Sequence, residues 1–138
     1  MATEGPTIHD GGQCVAGVNM SSTAGLVGWN GTGQFLLMKL TAARTLAPVA
    51  LATDFIYGVL QNDPIAGFVT DVVIFGITKA INGVAGALGA GVPVMADTSG
   101  RVIVAVSSGT NQACGITIEA ATAQNQVIAI KFTGTYKF

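Results

Sequence analysis

The sequence predicts an all-β fold: a compact β-barrel- or sandwich-like single domain of short antiparallel strands with a loop-rich N-terminal arm. Three observations predict it. Apolar side chains recur at every second position in several short runs, as in Ile128, Ile130 and Phe132 around Lys131. This is the period of a strand with one buried face. Glycine and proline punctuate these runs at short intervals, with 19 Gly spread along 138 residues, as turns between strands require. Helix signals are scarce. Thr41 to Ala52 has helix-forming Ala and Leu but contains Pro48, which breaks a helix, and Glu119 to Gln126 has room for one turn at most.

Along the chain, residues 1–33 are rich in Gly, Ser, Thr and Asn with little periodicity and read as an arm or set of loops ordered by contact with something else. Residues 34–132 form the β domain. Gln34–Leu40 and Phe55–Leu60 are strand candidates, and Phe68–Thr78 (FVTDVVIFGIT) is apolar on both faces except at Asp71. That pattern predicts one strand enclosed between layers or subunits. Val102, Val104 and Val106 alternate, as do Cys114, Ile116 and Ile118 opposite Thr117 and Glu119. Asp97-Thr-Ser-Gly100 predicts a type I turn closed by a left-handed glycine, joining Pro93–Ala96 to Arg101–Val106 as a hairpin. Asn30-Gly31 and Asn82-Gly83 predict tight turns with positive φ. Residues 133–138 read as a C-terminal tail.

Charge carries the strongest functional information. Only 9% of residues are Asp, Glu, Lys or Arg while 50% are hydrophobic, against about 25% charged in an ordinary soluble domain. A monomer so composed would show water a surface of Gly, Ala, Thr and apolar side chains, and extended apolar surface marks interfaces. The chain reads as a subunit. The six basic residues, Lys39, Arg44, Lys79, Arg101, Lys131 and Lys137, stand singly in the sequence and the net charge is -1. Nucleic-acid binding, which needs clustered cations, is not expected. The absence of Lys and Arg before Lys39 predicts no secretion or transit signal. The uncharged stretches Gly11–Met38 and Ala80–Ala96 are interrupted by polar residues or by glycines and Pro93, so no membrane span is expected.

No constellation with chemistry emerges, and the expectation is no enzyme, no cofactor and no metal. The single histidine, His9, lies beside Asp10 in the polar arm, where adjacent residues offer a general base no fixed geometry. One His and two Cys cannot build the usual zinc sites. Cys14 and Cys114 form no CxxC and read as reduced and inert. Gly28-Trp-Asn-Gly31-Thr-Gly33 is glycine-rich but lacks the Lys-Ser/Thr of a phosphate loop. Among the carboxylates, Asp63 and Asp97 sit in turn signals that use them locally. Asp71 interrupts an apolar run and reads either as a partner of Arg101 or Lys131 across a subunit contact or as an edge-strand charge that blocks wrong pairing. Trp29 in the glycine loop, and Tyr136 and Phe138 in the tail, lie outside the core strands and are the aromatic candidates for partner contact. With Asp71 they make up the predicted contact set.

The order of blocks from Gln34 to Phe132 is distinctive. GQFLLMKL is followed by Tyr57-Gly-Val-Leu-Gln-Asn-Asp-Pro-Ile-Ala-Gly67, then Gly76-Ile-Thr-Lys79 and the Ala/Gly segment Ala85–Val94. Asp97-x-x-Gly-Arg101, Cys114–Ala121 and Val127–Phe132 complete it. The chain resembles the small head-decoration (capsid cement) proteins of tailed bacteriophages, most specifically in GVLQNDP..G and AGxPVxxDxxGR. The resemblance covers about the last three-quarters of the chain; residues 1–33 match nothing in it, the TGTYKF tail extends past the usual end, and Phe68 departs from an expected polar residue.

The resemblance implies a structural protein made in the host cytoplasm and carried on the outer surface of the virion head. There it would bridge neighbouring major capsid proteins, as a homo-oligomer with a trimer favoured. Attachment is then expected to rest on apolar and backbone contacts. Many weak contacts linked in one oligomer raise avidity 10²–10⁴-fold. The alternative expectation is a virion-borne carbohydrate- or host-surface-binding β module, for which Trp29 and the Asn-rich loops would supply the site.

Overall fold

The computed structural model describes residues 14–17, 33–64 and 66–137. Those residues form ten strands, and the chain is all-β, two sheets stacked as a sandwich, not closed into a barrel. The first sheet contains β1 (Val15–Ala16), β2 (Leu37–Ala42), β3 (Thr45–Pro48), β4 (Gly58–Leu60) and β5 (Val72–Val73), in the order β1-β3-β2-β4-β5. Only β1 against β3 is parallel. The second contains β6 (Gly76–Ile81), β7 (Pro93–Ala96), β8 (Val102–Val104), β9 (Gln112–Thr117) and β10 (Val127–Lys137), in the order β6-β10-β9-β7-β8.

The core lies between the sheets. Leu37, Val49, Ile56 and Val59 from the first sheet and its loops pack against Ala80, Val94, Val102, Ile128, Ile130 and Phe132 from the second. Each large side chain so enclosed is worth roughly 1.5–3 kcal/mol relative to exposure. Ile128, Ile130 and Phe132 point inward and Lys131 outward, as the alternation predicted. A second cluster, Leu36, Met38, Leu46, Leu60 and Ile81, is also buried. Successive residues Leu37 and Met38 enter different clusters because side chains alternate across a strand.

The predicted β7–β8 hairpin forms. Asp97 Oδ1 accepts from the N–H groups of Ser99 and Arg101, and its Oδ2 pairs with Arg101 Nε at 2.7 Å. Gly100 adopts φ 80°, and its carbonyl accepts the Leu37 N–H at 2.7 Å. The turn therefore binds the second sheet to β2. A Cβ at Gly100 would stand 2.9 Å from the Leu37 carbonyl oxygen, so both conformation and space require glycine.

The Thr41–Ala52 stretch holds no helix, as Pro48 implied: residues 41–48 complete the β2–β3 hairpin, turning at Ala43 and Arg44, with Pro48 opposite Met38 at the end of β3. Several expectations are corrected. The run Phe68–Thr78 is not one enclosed strand. It is divided between β5, at the edge of the first sheet, and β6, at the edge of the second, so the chain crosses between sheets inside it. Phe68 and Phe75 are exposed, while Thr70 is buried because its N–H and hydroxyl both donate to the Cys14 carbonyl. In the Val102–Val106 run only Val102 is buried, and Val104, though still in β8, and Val106 beyond it are exposed.

Asn82-Gly83 is not a positive-φ turn. Asn82 is fully buried. Its Nδ2 donates to the carbonyls of Val84, Gly86 and Ala123, and its Oδ1 accepts the Val84 N–H. Residues 133–137 of the segment read as a tail belong to the sheet, since β10 continues through Lys137, with Tyr136 opposite Ala113 after a bulge. The Thr135 hydroxyl accepts the Ile56 N–H at 3.0 Å and donates to the Ile56 carbonyl at 2.7 Å. Residues 14–17, placed in the arm by sequence, supply β1, which pairs with Thr45 and Leu46.

Two stability predictions follow from these contacts. Asn82→Ala removes the side-chain bonds of a fully buried amide to three carbonyls and one N–H, and should cost about 3 kcal/mol in urea unfolding without changing the secondary structure. Removal of residues 133–138 deletes both Ile56 bonds and the end of the β9–β10 ladder. It should lower stability by about 2 kcal/mol, whereas removal of a loose tail would leave the midpoint unchanged.

Candidate partner-binding face

The outer face of the second sheet is built by the register of its central strands. Lys131 of β10 lies opposite Ile77 of β6 on one side and Ile116 of β9 on the other, and Ile116 lies opposite Pro93 of β7. The next row places Lys79 opposite Ala129, with Ile118 joined through its N–H to the Ala129 carbonyl. Ile77 is 71% exposed, Ile118 45% and Ile116 41%. Three large β-branched side chains thus stand in water on either side of β10, around two lysines.

Sequence alternation placed Cys114, Ile116 and Ile118 inside. Cys114 is buried as expected, but Ala113, Gly115 and Thr117 are buried with it and the two isoleucines are exposed. The register between β7 and β9 shifts by one residue at Cys114, where Val94 faces Gly115 but Met95 faces Ala113. A bulge of this kind inserts an unpaired residue and reverses the faces beyond it. Gly115 accommodates it: a Cβ there would collide with the Lys131 backbone carbonyl. Thr117 tolerates its inward position because its hydroxyl donates to the Gly89 carbonyl and accepts the Val92 N–H.

The topology also joins what the sequence separates. Lys79 and Lys131 are 52 positions apart in the chain, yet they occupy diagonal positions on adjacent strands, roughly 7–8 Å apart by sheet geometry. Neither ammonium has a partner among the described residues, where Lys39 pairs with Asp54 and Arg101 with Asp97. The basic residues are therefore not all isolated.

Beside the free side of β6 lies an open groove of about 510 Å³, lined by Gln34, Phe35, Gln61, Ile77, Thr78, Lys79 and Ala129. Gln61 braces it, its Nε2 donating to the Thr78 hydroxyl at 2.8 Å, and Gln34 Nε2 donates to the Gln61 carbonyl. Phe35 holds φ 69°, a conformation that costs a non-glycine residue on the order of 1–3 kcal/mol. Its N–H donates to the Leu60 carbonyl at 2.6 Å, which fixes the aromatic at the groove.

Of the predicted contact residues, Asp71 and the backbone of Tyr136 fall among the described residues. Trp29 and Phe138 lie outside the described residues. Tyr136 belongs to β10 by its backbone. Asp71 is exposed immediately before the edge strand β5, its N–H donating to Asn62 Oδ1. Its carboxylate has no ion-pair partner among the described residues. Arg101, one of its two proposed partners, is held within the chain by Asp97 and by Asn125 Oδ1. His9 also lies outside the described residues.

The other carboxylates hold the backbone. Burial raises the Asp54 carboxyl, but the Lys39 ammonium and the N–H groups of Ala50 and Leu51 outweigh it and keep the group below the usual range. Asp63 Oδ1 accepts the Gly33 N–H and Glu119 Oε2 the Ala129 N–H. Among the described residues no three His, Cys, Asp or Glu side chains gather as a metal site. No helix there is long and apolar enough to cross a membrane.

Both cysteines are free thiols, Cys14 half-buried and Cys114 fully buried. Burial pushes the Cys114 thiol up to about 12. An acid with a raised folded pKa favours the folded state below its unfolded value and opposes it above. Between the unfolded thiol value near 8.5 and about 12, stability should therefore fall by roughly 1.4 kcal/mol per pH unit. Cys114→Ala should remove that component of the alkaline slope, as measured by urea unfolding at pH 8 to 10.5. No protein-family model matches the chain, and no curated protein matches it in sequence.

Proposed function

We infer that the chain is a structural subunit that docks on a protein lattice through the outer face of its second sheet. The lattice we assign is the outside of an icosahedral phage head, where the subunit would bridge neighbouring major capsid proteins as a homotrimer and stabilise the shell. One observation carries the docking reading: Ile77 of β6, Ile116 of β9 and Ile118 just past it face solvent on the two strands that flank β10, on either side of Lys131. Exposed apolar side chains gathered on one face and edged by polar groups mark interaction sites. The low charge content supports it, since so few ionic groups leave much of the surface apolar.

The phage assignment rests on the sequence blocks. In the structure those blocks are framework. GVLQNDP forms β4 and a loop in which Gln61, Asn62 and Asp63 each hydrogen-bond a neighbouring segment. PVxxDxxGR is the β7–β8 hairpin with its Asp97–Arg101 pair. Residues of this kind preserve a scaffold, which suits a protein whose task is to be rigid and adhesive. Binding only to an assembled lattice stabilises that lattice by mass action.

Mixing the protein with undecorated heads of the phage that encodes it and imaging them by cryo-electron microscopy tests this directly. Ordered density on the outer surface is expected, with the β6–β10–β9 face against a capsid subunit or a sister copy. The double variant Ile77→Glu and Ile116→Glu should stay folded, because both side chains are already in water, and should lose at least tenfold in head binding. Heads that stay bare with wild-type protein would refute the assignment.

A further inference from the structure

The free edge of β6 is chemically distinct from the rest of the outer face. The Asn82 N–H donates to the Gln126 carbonyl, and Val127 lies opposite Ile81. These two facts fix the phase of the antiparallel ladder, in which hydrogen-bonded and non-bonded pairs alternate. Ala80–Ile128, Thr78–Ile130 and Gly76–Phe132 are the bonded pairs. The N–H and C=O groups of Ile77 and Lys79 consequently point away from β10. Among the described residues no backbone group receives them, and the Lys79 carbonyl has only a 3.4 Å contact from the neighbouring Thr78 hydroxyl.

We propose that this edge, from Gly76 to Lys79, accepts an extended strand of a partner polypeptide carrying carboxylates at alternate positions. Backbone pairing of this kind supplies affinity through main-chain hydrogen bonds and specificity through alternate side chains. The groove lined by Phe35, Gln34 and Gln61 leaves space beside the edge for such a strand. One set of its side chains faces Phe35 and is apolar, and the other emerges on the outer face beside Lys79, with Lys131 behind Ile77.

Charge decides the occupant. A lysine on an edge strand usually blocks pairing, and here it blocks a second copy of this edge, which would set Lys79 and Lys131 against the same two cations. A strand bearing glutamate or aspartate meets the opposite condition. It supplies the anions that both ammonium groups lack among the described residues.

The inference deepens the docking reading by naming the partner's chemistry, and its test is separate from the capsid experiment. The probes are two peptides, acetyl-Ser-Glu-Val-Glu-Val-Glu-Ser-amide and the same peptide with Lys replacing each Glu, titrated into ¹⁵N-labelled full-length protein at 50 mM salt. The Glu peptide should shift the amide signals of Ile77 and Lys79, slow their hydrogen exchange, and bind at least tenfold more tightly than the Lys peptide. In the Lys79→Glu and Lys131→Glu double variant the preference should reverse. Both changes are at exposed positions, and the wild-type comparison stands without the variant. Unshifted Ile77 and Lys79 amides at millimolar Glu peptide would overturn the proposal, as would equal binding of the two peptides. Heads decorated normally in the face of either result would leave the docking reading standing and this one refuted.

Discussion

The sandwich depends on one buried amide. Asn82 lies where β6 ends, and its side chain takes three carbonyls from two loops, two on the 83–90 segment and one at Ala123. Its main chain accepts the Asn125 N–H and donates to Gln126, and it bridges to Val102 of β8. The first and last strands of the second sheet are thus tied at one residue. An unpaired buried amide would oppose folding by several kcal/mol on a hydrocarbon scale, so this site is favourable only when every loop is in place. That all-or-none character makes loops without regular structure as well determined as the strands.

From that hub the two sheets are registered by a few polar contacts at their margins, and the apolar core fills the space between. The Gly100 carbonyl fixes β2 to the β7–β8 turn, the Thr135 hydroxyl fixes β10 to the approach to β4, and Gln61 fixes β4 to β6. Each contact links segments from different sheets. The apolar side chains supply most of the stabilisation, but they are interchangeable in a way these directional bonds are not.

How legible this was from sequence divides along a physical line. Local chemistry was readable: the Asp97 turn and the inward set Ile128, Ile130 and Phe132 depend on residues within a few positions of each other. Asn82 shows the limit, since the same Asn-Gly pair serves a tight turn or a buried clamp according to what lies 41 residues away at Ala123. The reversal at Cys114 was hidden because alternation counts residues, and a bulge adds one without changing composition. Phe68–Thr78 misled because one apolar run can supply edges to two different sheets. The Lys79–Lys131 neighbourhood and the groove at Phe35 arise only from strand order, which no local pattern encodes. The predicted contacts at Trp29 and Phe138 fall outside the described residues.

Strand order has a further consequence for how the chain reaches its native state. β10 is the last strand of the second sheet to be synthesised, yet it lies between β6 and β9 and carries Ile128, Ile130 and Phe132 into the core. While the ribosome is still extending the chain, β6 and β9 have no common neighbour, and the core lacks Ile128, Ile130 and Phe132. Assembly must wait for the arrival of β10. Pairings between such distant segments belong to the slow end of two-state folding, milliseconds to seconds, and during that interval the half-built sheet is an adhesive surface. A chaperone that shields nascent β-rich chains would find its substrate here in the newly made chain, before the mature fold hides the same strands.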